Sequence, residues 1–217
     1  MNFAKEIAKI SLRIGAIKLD PQNPFLWASG YRMPVYNDNR LLLGKAEHRL
    51  RVAEGFRSIL LKEGITVDVV AGTATAGIVP ATTLANLLRT PLIYVRPTPK
   101  DHGMQNQIEG ILQTGQNVVV VDDLISTGGS VLKSVEAIRQ AGGQVDHCLS
   151  IFTYGFQKSL DQFRQARCHL HPLLSFETLI ALARQEGVLD EKQYHLLQTW
   201  HDDPFTWAER QGFAPSN

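Results

Sequence analysis

Apolar residues recur at Phe3, Ile7, Ile10 and Ile14, the spacing of one face of an α-helix, with charged residues between them. Gly15 supplies the residue type that most easily adopts the left-handed turn closing such a helix, so the pattern predicts a helix over 2–15. Residues 25–40 then mix aromatic and β-branched side chains with Gly30 and Pro34, just after Pro24, and read as a short irregular hairpin. A helical pattern with a solvated charged face returns over 45–62 and ends at Gly64. Beyond it the texture changes to short β-branched runs at 67–71, 92–95, 117–121 and 145–152, none with polar alternation. A strand covered on both faces has no reason to alternate, so these runs predict a parallel sheet between two layers. Helical spacing over 78–88 and 130–141, the second closed by Gly142 and Gly143, fills the gaps, and a helix over 156–167 and a strand over 169–173 continue the series. Such alternation specifies an α/β fold, a doubly wound and mainly parallel sheet flanked by helices, with ligands at the carboxyl ends of the strands. The tail, 175–210, reads as two or three short helices, one beginning at Asp190. No repeat or low-complexity linker divides the chain. The expected organisation is a helix and small hood over 1–40, an α/β core over 41–174 and a helical C-terminal extension over 175–217.

Composition narrows the partners. In 217 residues, 44% are hydrophobic and 20% charged, the balance of a globular protein and not of a disordered one. A formal net charge of +1 lacks the basic excess of a dedicated nucleic-acid binder. The densest apolar run, Val118 to Val121, is followed at once by two aspartates, so no stretch is long enough to span a bilayer and no membrane partner is expected. The first residues lack the apolar core and cleavage site of a signal peptide. Two cysteines, Cys148 and Cys168, make no disulfide framework, which points to a reducing, cytoplasmic setting.

The chemistry concentrates in VVVVDDLISTGGS, from Val118 to Ser130. Four valines predict a strand ending where Asp122 and Asp123 begin. Neighbours in a strand point to opposite faces, so the two carboxylates share a ligand only if the backbone turns there. The following loop offers the hydroxyls of Ser126 and Thr127 and two glycines, Gly128 and Gly129, directly before a helix. Amide groups of such a loop and the unpaired donors of a helix start bind anions. Carboxylates repel phosphate but accept hydrogen bonds from sugar hydroxyls. A carboxylate pair beside a phosphate cradle therefore points to a sugar phosphate. A strand end with an Asx turn and a Ser/Thr cap accounts for any two or three of these residues, but not for all of them together.

Two further loops carry weaker signals. Residues 71–77, with Thr73 and Ala74 between Gly72 and Gly77, are spaced like a Walker A loop, but Ile78 and Val79 stand where Lys and Ser/Thr would be needed. The loop suits close approach of a diphosphate, and equally a plain strand–helix turn. The span with Arg96, Lys100, Asp101, His102 and Gly103, followed by Ile108, Glu109 and Gly110, lacks helical periodicity. Alone it reads as a solvated charged loop; beside a polyphosphate it would serve as a basic lid.

The 118–130 segment resembles the 5-phosphoribosyl 1-pyrophosphate (PRPP) motif of the type I phosphoribosyltransferases. Together with Ser29, Gly30, Pro34, Tyr36, Asp38 and Arg40, and with Lys100, His102, Gly103, Ile108, Glu109 and Gly110, it makes residues 2–170 similar to the orotate phosphoribosyltransferase family. The resemblance implies transfer of the ribosyl 5-phosphate from PRPP to N1 of orotate, giving orotidine 5′-monophosphate and pyrophosphate. It implies Mg²⁺ held through PRPP and water with no protein ligand of its own, and a homodimer whose lids reach the partner's site. By position, Asp122 and Asp123 would hold the ribose hydroxyls, and Leu124, Ile125, Ser126, Thr127, Gly128, Gly129 and Ser130 would wrap the 5′-phosphate side. Thr73, Ala74, Arg96, Lys100 and His102 would bind the pyrophosphate end, Ser126 and Tyr36 would contact orotate, and Lys100, His102, Asp122 and Asp123 would carry catalysis.

Three departures from the family pattern stand out. Pro97 replaces a lysine that often follows the arginine, Ala28 replaces a lysine before the Ser-Gly pair, and Phe152, Thr153, Tyr154 and Gly155 occupy a region where relatives carry an Asp-Arg pair for the orotate carboxylate. Arg32 or backbone amides would then meet that carboxylate. A phosphoribosyltransferase for another base remains the alternative enzyme. A non-enzymatic PRPP-sensing regulator is the alternative of another class, although it would want a basic nucleic-acid face. Elsewhere, alternation places His169 and His171 on one strand face and Cys168 on the other, which speaks against zinc. His48, His147, His195 and His201 read as surface or capping residues, and Trp27, Trp200 and Trp207 as packing anchors.

Overall fold

The computed structural model describes residues 2–27, 30–98 and 107–213. Helix α1 (Phe3–Ile14) starts on Asn2, whose side chain accepts from the Lys5 amide at 3.0 Å, and closes on Gly15 at φ 74°. Strand β1 (Ile17–Leu19) follows. The stretch expected to be one hairpin divides in two: β2 (Phe25–Leu26) pairs with β3 (Arg32–Met33), while β4 (Val35–Asn37) turns back to pair antiparallel with β1. A 3₁₀ turn (Asn39–Gly44) leads into α2 (Ala46–Lys62).

The core then runs β5 (Val69–Thr73), α3 (Ile78–Leu88), β6 (Leu92–Val95), β7 (Ile108–Glu109), β8 (Asn117–Ile125), α4 (Gly129–Gln140), β9 (Gln144–Thr153), α5 (Gln157–Gln165) and β10 (His169–Ser175). Its six-stranded sheet has the order β10-β9-β8-β5-β6-β7, parallel except for β7. The valine run explains itself here. Val119 and Val121 pack into one apolar cluster and Val118 and Val120 into another, so β8 is covered on both sides as its lack of alternation predicts.

The tail forms α6 (Phe176–Gln185), α7 (Glu191–Asp202) and α8 (Trp207–Arg210). Asp190 caps α7 reciprocally with Gln193, the start its sequence announces. Ile7 of α1, Met33 and Val35 of the hood, Phe56 of α2 and Trp200 and Trp207 of the tail share one buried cluster, so a single core crosses all three segments of the chain. Trp200 and Trp207 are fully buried anchors, as expected. Three histidines are less peripheral than expected. His48 is buried on α2, His147 contacts His171 across β9 and β10 at 3.0 Å, and His201 stacks between Phe156 and Phe176. Among the described residues no helix is long and apolar enough to cross a membrane.

Candidate active site

The chain leaves β5 through α3 to β6 on one side, then returns to place β8 on the other side of β5. This reversal opens a crevice at the carboxyl ends of β5 and β8, where an α/β sheet binds its ligands. Both glycine-bearing loops end there. Thr73 closes β5, buried, and its hydroxyl donates to the Val121 carbonyl at 3.3 Å. Gly77 lies so close that a Cβ would stand 2.4 Å from both Thr73 Oγ1 and the Val121 oxygen. Glycine is required at 77 by contact, and the loop carrying Thr73 and Ala74 is thereby drawn against β8.

The strand does not end at the aspartates. Pairing of β8 with β5 stops at Val121 opposite Gly72, but its ladder with β9 continues from Asp122 opposite Ser150 to Ile125 opposite Thr153. A partner on one side is enough to keep the backbone extended, and the other edge of 122–125 is left facing the 73–77 loop. The turn that would let adjacent carboxylates meet appears as a slip in alternation. Leu124 packs with Val119 and Val121, and Ile125 with Val118 and Val120, the reverse of strict alternation. Within this slip the Asp123 amide donates to Asp122 Oδ1 at 2.9 Å. Both carboxyls are pushed above the usual range. Burial dominates at Asp122, opposed by the Thr73 hydroxyl; at Asp123 burial and then the Asp122 charge raise the pKa to about 6.

After Ile125 the chain bends through Ser126 and Thr127 and enters α4, with Gly128 as the cap and Gly129 the first helical residue. Gly128 sits at φ +87°, and a Cβ there would fall 2.9 Å from Phe163. Both backbone and packing therefore demand glycine. The free amides of the first turn of α4, from Gly129 and Ser130 onward, form a positive pole next to the two carboxylates.

The hood closes the crevice from above. The Asn39 side chain donates to the Asp123 carbonyl at 2.8 Å, tying the 3₁₀ turn to the end of β8. Sequence reasoning missed Asn39, whose only trace is its place between Asp38 and Arg40. Asn39, Arg40, Arg49, Val79, Pro80 and Asp123 line a cavity beneath the hood. Arg40 holds Asp38 in a 2.6 Å ion pair that keeps the Asp38 carboxyl below its ordinary range. Tyr36 is partly exposed, its ring 6.0 Å from that of Phe25. Arg96 pairs with Glu109 at 3.5 Å and its amide donates to the Gln107 carbonyl at 2.9 Å, so the flanks of the basic span are fastened together. Ala28, Ser29, Lys100, Asp101, His102 and Gly103 lie outside the described residues.

The region lacking the Asp-Arg pair is aromatic. Tyr154 is buried, stacks on Phe156 at 5.2 Å and touches Trp27, Phe176 and Trp200, and burial pushes its hydroxyl pKa up. His201 of α7 bonds the Tyr154 carbonyl at 2.6 Å, and Trp200 Nε1 donates to Met33 Sδ at 3.1 Å. The tail thus buttresses the hood through this aromatic wall, a role that nothing in its own sequence discloses. Among the described residues no group of three or more metal-ligating side chains converges.

Comparison with known proteins agrees with this geometry. The phosphoribosyl transferase domain family matches residues 43–168. The orotate phosphoribosyltransferase of Cytophaga hutchinsonii is 44% identical over 96% of this chain and 100% of its own. That of Lactiplantibacillus plantarum is 45% identical over 95% and 97%. Among solved structures, orotate phosphoribosyltransferase from Aeropyrum pernix superposes with a TM-score of 0.72 at 30% identity, covering 85% of this chain and 99% of that one. With a carboxylate pair, a glycine-bearing helix start and a hood assembled around one crevice, and with relatives matching from end to end, the chain belongs to the orotate phosphoribosyltransferase family.

Proposed function

We propose that the protein transfers the 5-phosphoribosyl group of PRPP to N1 of orotate, releasing pyrophosphate and giving orotidine 5′-monophosphate for pyrimidine biosynthesis. The observation that carries this reading is the juxtaposition at the end of β8 of two half-buried carboxylates and the amino end of α4. The helix start suits the 5′-phosphate, and the carboxylates suit the ribose hydroxyls, which donate hydrogen bonds to them. Burial raises both carboxyl pKa values, with the Asp122 charge adding at Asp123, and hard oxygen donors of this kind fit a Mg²⁺–PRPP complex. When bound, the ion would add positive charge at the departing diphosphate, with Asp122 and Asp123 holding it through water and ribose hydroxyls.

The remaining work falls to the chain itself. Gly72 and Gly77 let the 73–77 loop pack against α3 and β8 at the crevice, where its backbone would meet the diphosphate. As the anomeric carbon loses pyrophosphate it gains positive character, and the negative charge of the Asp122–Asp123 pair would favour it. Arg96, Lys100 and His102 neutralise the leaving oxygens, and Ser126 and the Tyr36 region position the base. No covalent nucleophile is required. Leu41, Leu43 and Leu50, exposed on the 3₁₀ turn and α2, support a homodimer interface; the family resemblance implies that the basic spans reach across it to the partner's site.

Loss of orotate absorbance on adding Mg²⁺ and PRPP, compared with uracil and purine bases at equal concentration, tests the assignment. Turnover of orotate alone upholds it, and turnover of another base in its place would reassign the substrate. Sedimentation of the free chain as a monomer would remove the dimer.

A further inference from the structure

Two thiols that the reaction does not use face each other behind the sheet. Cys148 of β9 and Cys168, at the entry to β10, place their sulfurs 3.4 Å apart, and both are free. The strands are parallel neighbours with Cys148 opposite Leu170, so the thiols meet on a diagonal across one ladder. They sit in the cluster that also holds Val118, Val120 and Phe163.

Their surroundings are unequal in a way that simple core filling does not need. Cys148 is fully enclosed. Cys168 is also buried, at 5% exposure, but it lies in the wall of an open groove with Leu160, Phe163, Arg164, Arg167 and Leu170, so a small local opening there would bring a small solute to its sulfur. Arg139 reaches in from α4 and donates to the carbonyls of Val145 at 3.1 Å, Ala166 at 2.7 Å and Arg167 at 3.1 Å. It clamps together the two backbone segments that carry the thiols and brings a fixed positive charge to them. The hydrogen bond from Cys148 lowers the Cys168 pKa, burial opposes it and the Arg139 charge adds to the lowering, while the same contact and burial raise that of Cys148. A buried cysteine serving as a small hydrophobe has no use for an access groove, a guanidinium clamp and a second thiol in contact.

We propose that Cys148 and Cys168 form a dithiol modification site that reacts with hydroperoxides and closes to a reversible intrachain disulfide. The Cys168 thiolate attacks the terminal peroxide oxygen, the O–O bond breaks, and the departing oxygen takes a proton to leave as alcohol or water. Cys168 is now a sulfenic acid. The Cys148 sulfur attacks the Cys168 sulfur, the S–S bond forms as S–O breaks, and the hydroxyl leaves as water with the Cys148 proton. Two thiols lose two electrons and the peroxide gains them. A disulfide of about 2.05 Å needs the sulfurs to close by about 1.4 Å, within reach of side-chain rotation and a small shift at the entry to β10.

The test exposes the folded full chain to hydrogen peroxide, quenches with catalase, then unfolds it in N-ethylmaleimide. The expected product takes up no maleimide, weighs two hydrogens less, yields a peptide joining Cys148 to Cys168, and recovers both thiols with dithiothreitol. Cys148→Ser should trap one sulfenic acid per chain at Cys168, read as a dimedone adduct, while its untreated turnover matches wild type. Two maleimide adducts after peroxide would overturn the proposal. So would Cys168 sulfinic acid without the joined peptide, or disulfides only between chains; the wild-type peptide map decides these even if the serine variant folds poorly.

Discussion

The floor and the roof of the crevice are held by different means. The floor, Asp122 to Ser130, is one continuous segment fixed by near neighbours: a ladder to β9, a glycine pressed on Phe163 and the first turn of α4. The roof depends on partners far along the chain, with Met33 bonded to Trp200, Trp27 against Tyr154 and Tyr31 edge-on to Phe205. A fixed charge for a reactive sugar diphosphate can be encoded in nine residues. The roof is assembled by packing, and packing can be rebuilt with other residues, as the aromatic block around Tyr154 shows.

That division is open to attack by mutation. Trp200→Ala removes a fully buried anchor of the roof and should cost about 3–5 kcal/mol of stability in urea unfolding. Its KM for orotate should rise more than its KM for PRPP; equal increases would erase the distinction between floor and roof. Lys100→Ala should lower kcat by about 10²–10³, the effect of losing one preorganised charge donor, with KM values little changed. Unaltered turnover would take the basic span out of the mechanism.

Asp123→Asn belongs to the floor alone and should weaken PRPP binding by about 1–3 kcal/mol in calorimetric titration, leaving the hood intact. Its pH behaviour sharpens the point. Asp123 titrates near 6 in the folded chain against an ordinary 3.8, so the folded state holds the proton more tightly. The stability contributed by that proton is complete below about pH 3.8 and is lost as pH rises towards 6. The free protein should therefore melt at lower temperature at pH 7 than at pH 5, and Asp123→Asn should flatten that trend. In the proposed reaction PRPP needs the carboxylate, so kcat/KM for PRPP should fall as pH drops below about 6, in the opposite sense. The smallest effect is expected at the seam: Asn39→Ala loses the bond to the Asp123 carbonyl, about 1 kcal/mol in urea unfolding.

The same contrast explains what the sequence discloses. The valine run, the Asp-Asp pair and the Ser-Thr-Gly-Gly loop lie side by side, and their order along the chain is their order in space. Helix ends at Gly15 and Asp190 are likewise local, because a cap is chosen by residues three or four apart. The extension of β8 through Ile125 is decided by Ser150 to Thr153, which a local reading of the valines does not contain. Asn39 acts on a residue 84 positions away, and His201 on one 47 away, so neither leaves a periodic trace. His48 and His147 read as peripheral because isolated histidines carry no pattern; their burial and pairing come from neighbouring elements.

The seating of Trp200 on Met33 also bears on how the molecule is born. With 167 positions between them, a ribosome adding about 5–20 residues per second needs roughly ten to thirty seconds to deliver the second after the first. Through that interval the nascent hood lacks the part of its cover that Trp200 supplies. The roof is thus completed late in translation, and chaperones have a defined window in which to shield the growing chain.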